Sequence, residues 1–370
     1  MLVSLPRPLR DGVGKGPPLH GRRMSDTTAQ FLLGTRGVQR DLDAFVVGVR
    51  FDRAGATAAF ALGDGSVHLV SVADKSDWRK LAVHDGAALA LAPDAAATGF
   101  VSGGDDGKFR RVGGDGTVSD IADFRSKWVE HVASHPGDKG KGLIACAVGK
   151  TIHLFDHAGQ KLKELPHPSS VTGLAFDAKG KRIGGSHYNG ASLWFVAAKV
   201  DTPRKLEWKG SHTALAIHSD GDAVVTAMQE NALHGWRLSD GQHMRMSGYP
   251  AKTQTLSFTR NGKWLATSGA DAMVLWPFFG GGPMGKAPIE LAGGDGIVCT
   301  QVASHPLQEM VAGGFADGLL VLADIDTSRI LPVAPPEHGA ISALAWSPNG
   351  TQLAFGTESG FAAIIDLSKR

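Results

Sequence analysis

From about Asp43 onward one hydrophobic pattern recurs along the chain. A short apolar strand ends at a Gly or Pro-Asp type turn. A second strand ends in small residues at an Asp/Asn-Gly type turn, and a third closes on a bulky residue. The clearest copy spans 338–366, HGAISALAWSPNGTQLAFGTESGFAAIID. Beside it stand HPSSVTGLAFDAKGKRIGGSHYNGASLWF from His167 and AKTQTLSFTRNGKWLATSGADAMVLWP from Ala251. Further copies begin near Asp43, His84, Lys127, Lys209 and Asp295.

The bulky residue that closes the third strand serves as a ruler. It falls at Val70, Val112, Phe155, Trp194, Trp236, Trp276, Ala323 and Ile365, at intervals of 42, 43, 39, 42, 40, 47 and 42 residues. A period near 40 is that of a four-stranded propeller blade. Each unit has too little apolar surface to fold alone, so neighbours must stack face to face. The pattern predicts an all-β fold, a single closed eight-bladed β-propeller over 24–370, with seven blades as the alternative.

Composition adds detail. Glycine is abundant, at 49 of 370 residues, as many tight turns require. The formal net charge is only +2, from scattered charges, which disfavours a nucleic-acid partner. Two cysteines, Cys146 and Cys299, offer no disulfide framework and fit a reducing compartment. No apolar run reaches the roughly 18 residues of a membrane helix. Residues 1–23 differ in composition from the rest, lack the apolar core of a secretory signal, and are expected to form a disordered leader. Met24-Ser25-Asp26 resembles a second start. The expected setting is cytoplasmic, as a monomeric ring.

These residues resemble the WD-repeat family, over roughly 29–367. Phe155-Asp156 and Ile365-Asp366 approximate the signature dipeptide, whereas Trp194, Trp236 and Trp276 lack the Asp. The resemblance implies a buried His–Ser/Thr–Asp–Trp network, incomplete here. Its nearest copy is His167, Ser186, Asn189 and Trp194; the set His84, Ser102 and Asp106 has Val112 in place of Trp. It also implies that an N-terminal strand completes the last blade. The apolar segment 29–33 is the candidate, and pairing it with the final repeat would leave no free sheet edge.

Val-Ala-Ser-His-Pro occurs at 132–136 and again at 302–306, a shift of 170 residues that suggests duplication of a half-ring. Units four apart on an eightfold ring lie opposite one another. Cys146 and Cys299 would then be too far apart to bond and would pack as small buried hydrophobes.

The resemblance further implies docking on the face formed by the loops before the first strand and between the second and third. Phe45, Asp85, Trp128, Tyr188, Glu230, Lys252, Asp271, Phe315 and Glu358 fall there. Exposed aromatics among mixed charges suit a protein-binding surface, although Trp128 and Phe315 could instead pack between blades. The longest interval, after Trp276, carries Phe278 and Phe279 in a Gly/Pro loop on the opposite side. Two readings stand there: a second docking site, or a plug folded into the channel.

Fifteen histidines raise a metal hypothesis. His131 and His135 share a strand four residues apart, so at about 3.3 Å per residue they stand about 13 Å apart. Metal bonds of about 2 Å cannot bridge that. His153 and His157 straddle a strand end without a completing Cys, Asp or Glu. No G-x-S-x-G, H-E-x-x-H or G-x-x-x-x-G-K-[ST] motif occurs. No catalytic residue, cofactor or metal site is therefore assigned. The expected function is a non-enzymatic scaffold for an unidentified protein partner. The alternatives are an enzyme or small-ligand binder using the central channel, and a metal-handling accessory protein.

Overall fold

The computed structural model describes residues 2–4, 31–138 and 140–368. Each repeat folds as the pattern predicts, because its turns are written locally. In the turn after strand Thr57–Leu62, Asp64 Oδ1 accepts the Ser66 amide at 3.0 Å, and Gly65 has φ +81°. A Cβ on Gly65 would lie 2.1 Å from the Gly86 carbonyl oxygen, so only glycine fits. The same device recurs at Asp106-Gly107 and Asp317-Gly318. The third-strand ruler positions are all buried, from Val70 to Ile365.

The innermost strands follow one another around a central channel. Val46–Phe51 lies beside Ala88–Pro93, and that strand beside His131–His135. The series continues through Gly173–Phe176, the end of Arg204–Ile217, Leu256–Phe258, Cys299–Ser304 and Ile341–Trp346, which returns to the start. Hydroxyls tie neighbours together: Ser342 Oγ donates to the Val46 carbonyl at 2.7 Å and Thr300 Oγ1 to the Ile341 carbonyl at 2.6 Å. Core clusters form where sheets stack. Phe60, Trp78 and Val49 of the first repeat, for example, pack on Ala343, Ala354 and Ala362 of the last.

The expectation of eight blades is corrected by the sheet topology. The strands form seven hydrogen-bonded sheets, six of four strands and one of seven, so counted as sheets the propeller has seven blades. The repeats from His167 and Lys209 share the large sheet. Arg182–Phe195 and Arg204–Ile217 each run for 14 residues where other repeats break into two strands. The local cause is Asn189-Gly190 and Gly210: φ is 140° at Gly190 and 126° at Gly210, which bends the strands without ending them. Asn189 Oδ1 accepts the Gly210 amide at 3.2 Å and stitches the two bends together.

The closing strand is also corrected. Segment 29–33 does not supply it: residues 29 and 30 lie outside the described residues, and Leu32–Arg36 is a short helix that buries Leu33 against the last repeats. Instead Gly37–Asp41 pairs antiparallel with Phe361–Asp366, from Gly37 opposite Ile365 to Asp41 opposite Phe361. Leu33 supplies the apolar contact and the polar segment behind it supplies the pairing. Most of the expected leader 1–23 lies outside the described residues; its segment Leu2–Ser4 runs parallel to His243–Ser247.

The Val-Ala-Ser-His-Pro echo has a structural use. His135 Nδ1 accepts the Gly137 amide at 3.0 Å, and its Nε2–H donates to the Ala178 carbonyl of the next repeat at 3.2 Å. His305 does the same, receiving the Leu307 amide and donating to the Gly350 carbonyl at 3.1 Å. Each histidine thus clasps its own turn to the neighbouring one.

Candidate protein-interaction face

The loops before the inner strands and the turns between second and third strands form one face of the ring. Phe45, Trp128 and Tyr188 are 44%, 57% and 57% exposed on it. Asp85, Glu230, Lys252 and Glu358 are exposed there, and Asp271 is half-buried. Phe315 is not available: at 2% exposure it sits in the core with Met273, Leu291 and Ile325. It closes strand Met310–Phe315 opposite Cys299, so its side chain turns inward between two sheets.

Tyr188 belongs to a concavity of ≈ 790 Å³ on the fused sheet, bordered by His187, Asn189, Lys205, Trp208 and Lys209. The Tyr188 amide donates to Ser169 Oγ at 2.9 Å, and His187 Nε2 meets Ser192 Oγ at 2.9 Å. Trp208 stacks on buried His234, with ring centroids 3.9 Å apart and planes 14° from parallel. Among the described residues neither Lys205 nor Lys209 has a carboxylate in ion-pairing distance, while exposed Glu207 lies between them. The wall therefore offers two aromatic rings and two free cations. Sequence reasoning missed Trp208, although the alternation in Arg204-Lys205-Leu206-Glu207-Trp208-Lys209 marks a strand with Trp208 on the Leu206 side and the lysines on the other.

Beneath the face lie the buried polar networks. His84 Nδ1 meets Asp106 Oδ1 at 3.0 Å and Nε2 meets Ser102 Oγ at 2.9 Å, so this set forms without a Trp. Around His167 the pattern differs: Trp194 Nε1 donates directly to His167 Nε2 at 3.3 Å. Ser186 contacts Thr172 instead, and Asn189 serves the Gly210 amide. Elsewhere Tyr249 replaces the histidine, receiving Trp276 Nε1–H at 2.5 Å and meeting Thr267 Oγ1 at 2.7 Å. Burial drives the titration of these groups. It lowers His167 to about 4 and His234 to about 3, His234 being pushed further by neighbouring His243. Both imidazoles are neutral near pH 7.

On the opposite face Phe278 packs edge-on to Phe258, with centroids 5.0 Å apart, and lies near His218. Phe279 is 45% exposed, edge-on to Trp264 and under the Lys286 ammonium. The loop lies against the sheets and does not line the channel. His131 is half-buried in its strand, His153 lies beside Glu164 at 3.6 Å, and His157 is exposed. Among the described residues, no three His, Cys, Asp or Glu side chains converge as metal ligands. Cys146 and Cys299 are free, buried in separate clusters, and burial raises both thiols. No helix among the described residues is long and apolar enough to cross a membrane.

Residues 303–370 match the family model of the anaphase-promoting complex subunit 4 WD40 domain. The chain is 26% identical over 162 residues to pre-mRNA-processing factor 19 of Schizosaccharomyces pombe. That match covers 42% of this chain and 31% of the relative, so the chain spans under a third of the relative's length. Among solved structures, the computationally designed Ika8 protein superposes with a TM-score of 0.69 at 19% identity. That likeness covers 88% of this chain and 98% of the designed one, and it concerns the fold alone. The ring of stacked sheets and these matches define a β-propeller. In its last repeats the chain is similar to WD40 domains, and these matches support a WD40-type propeller.

Proposed function

We propose that the protein is a non-enzymatic interaction module that holds a protein partner on the face bearing Phe45, Trp128 and Tyr188. Supporting residues on that face are Asp85, Glu230, Lys252, Asp271 and Glu358. The observation that carries this reading is the concavity of ≈ 790 Å³ at Tyr188, where exposed aromatic carbon lies beside unpaired lysines. Aromatic anchors in a recess contribute most of the binding energy in many interfaces, and rim charges steer the approach. A cytoplasmic setting belongs to the same proposal and is supported by two unpaired cysteines.

The test is affinity capture from the native cell with three forms of the full chain: wild type, Tyr188→Ala, and Leu307→Ser on the opposite face. A partner held through this face is retained by wild type and Leu307→Ser and lost from Tyr188→Ala, all three having equal thermal stability. A partner retained equally by a Phe45→Ala/Trp128→Ala/Tyr188→Ala triple variant would overturn the reading.

A further inference from the structure

The central channel is a second recess, of ≈ 680 Å³, walled by the innermost strands. That volume lies within the roughly 300–1,000 Å³ range of small-molecule sites. Its lining is polar: Gln254, Gln301, Ser257 and Ser304 stand among three charged side chains, Arg50, Asp52 and Arg53.

The three charges are engaged very differently. Asp52 is fully buried in its own turn, where Oδ1 accepts the Ala56 amide at 2.8 Å and the Thr57 amide at 3.3 Å. Arg53 is a clasp between repeats, donating from Nε to the Asp94 carbonyl and from Nη2 to Ser134 Oγ, both at 2.6 Å. Arg50 has neither kind of partner. Its only protein hydrogen bond among the described residues runs to the carbonyl of the preceding Val49, at 2.7 Å, and no carboxylate lies within ion-pairing distance.

Arg50 is exposed to the lumen yet enclosed by its walls, and this desolvation lowers its pKa from the ordinary value. A guanidinium stays charged even so. A guanidinium facing the lumen without an ion-pair partner can take up an anion. The carboxamides of Gln254 and Gln301 line the same space with no protein partner among the described residues. The lining thus carries two guanidiniums against one carboxylate, Asp52, whose Oδ2 is buried without a hydrogen-bond partner among the described residues. Arg50 is the guanidinium not tied to a neighbouring repeat, and it stands beside two neutral donor groups.

We propose that the channel binds a phosphate oxyanion, inorganic or carried by a small organic molecule, with Arg50 as the charge-bearing ligand and Gln254 and Gln301 as neutral donors. The planar guanidinium presents two parallel N–H groups that match two oxygens of a phosphate. Channel walls reduce the screening that weakens such pairs in open water. The proposal is independent of the protein-binding face, since none of its residues borders the Tyr188 concavity.

The test is calorimetric titration of the full chain at pH 7 and fixed ionic strength, with orthophosphate, pyrophosphate and glucose 6-phosphate as probes. Saturable 1:1 binding of at least one probe is expected. Arg50→Gln should weaken it by at least about 10-fold, the usual cost of losing a charged hydrogen-bond partner. Arg50→Lys should weaken it less, and Lys209→Gln and Tyr188→Ala not at all. Tighter binding of the sugar phosphate than of orthophosphate would assign the organic source, and the reverse order the inorganic one. No saturable binding by wild type, or equal binding by folded Arg50→Gln, overturns the proposal. Should Arg50→Gln not fold, unchanged affinity in Arg50→Lys and in Gln254→Ala/Gln301→Ala together overturns it.

Discussion

The ring joins neighbouring repeats in two contrasting ways, at the closing seam and in the fused sheet. At the seam, Gly37–Asp41 comes from one end of the chain to pair with Phe361–Asp366 from the other. In the fused sheet, Arg182–Phe195 and Arg204–Ile217 carry the hydrogen-bond ladder from one repeat into the next without a break. The seam is a long-range contact with an apolar, alanine-rich core and no histidine in its four strands. The fused sheet is local in sequence but holds His167, His187, His212 and His234 buried among Trp194, Trp208 and Trp236. The seam holds the ring closed, whereas the fused sheet carries the recess and the polar residues that open on it.

The largest expected effect breaks the seam. Deleting Gly37–Asp41 exposes the edge of Phe361–Asp366 and removes the closure. Equilibrium urea unfolding should show the loss of a large share of the roughly 5–15 kcal/mol typical of a folded domain. Retention of wild-type stability would mean the ring closes by packing alone. Next comes Gly190→Ala in the fused sheet. Its Cβ would lie 2.0 Å from the Leu206 carbonyl oxygen at a φ that disfavours side chains, so a loss of about 3 kcal/mol is expected by the same measurement.

Acid separates the two regions. His167 and His234 stay neutral in the fold down to about 4 and about 3, whereas an unfolded histidine takes its proton near about 6.5. The unfolded chain therefore binds more protons below that point. Stability is full above pH ~6.5 and falls by about 1–3 kcal/mol as pH drops toward ~4. Hydrogen exchange at the two pH values should show protection lost first in the fused sheet and kept at the seam.

Two smaller effects complete the comparison. Phe278→Ser removes a half-buried ring packed on Phe258 and should cost about 1–2 kcal/mol, less than the roughly 3–5 of a fully buried Phe. Tyr188→Ala should change stability by no more than about 0.5 kcal/mol, because its ring is mostly solvent-exposed. A larger loss would make Tyr188 a structural part of the fused sheet.

Much of the candidate face was legible in the sequence because turn positions are set by local chemistry. Phe45, Trp128 and Tyr188 flank turns, and turns between strands of a ring reach one face or the other. Of the two positions that could also pack between blades, Phe315 does so: it too ends a strand beside a turn, and only the stacking of the next sheet turns it inward. Trp208 was overlooked because an outer-strand residue borders a recess only when the following strand continues unbroken beside it.

The repeat, its turns and its buried third-strand positions follow from the sequence alone, since Asp-Gly turns and alternating side chains act within a few residues. Three outcomes needed the tertiary structure: which N-terminal segment closes the ring, how many sheets the repeats form, and which charges are left unpaired in the channel. Strand pairing between distant segments depends on the register that buries Leu33 and on the bends that Gly190 and Gly210 accept. The isolation of Arg50 depends on what surrounds it across the lumen, and no local pattern encodes that.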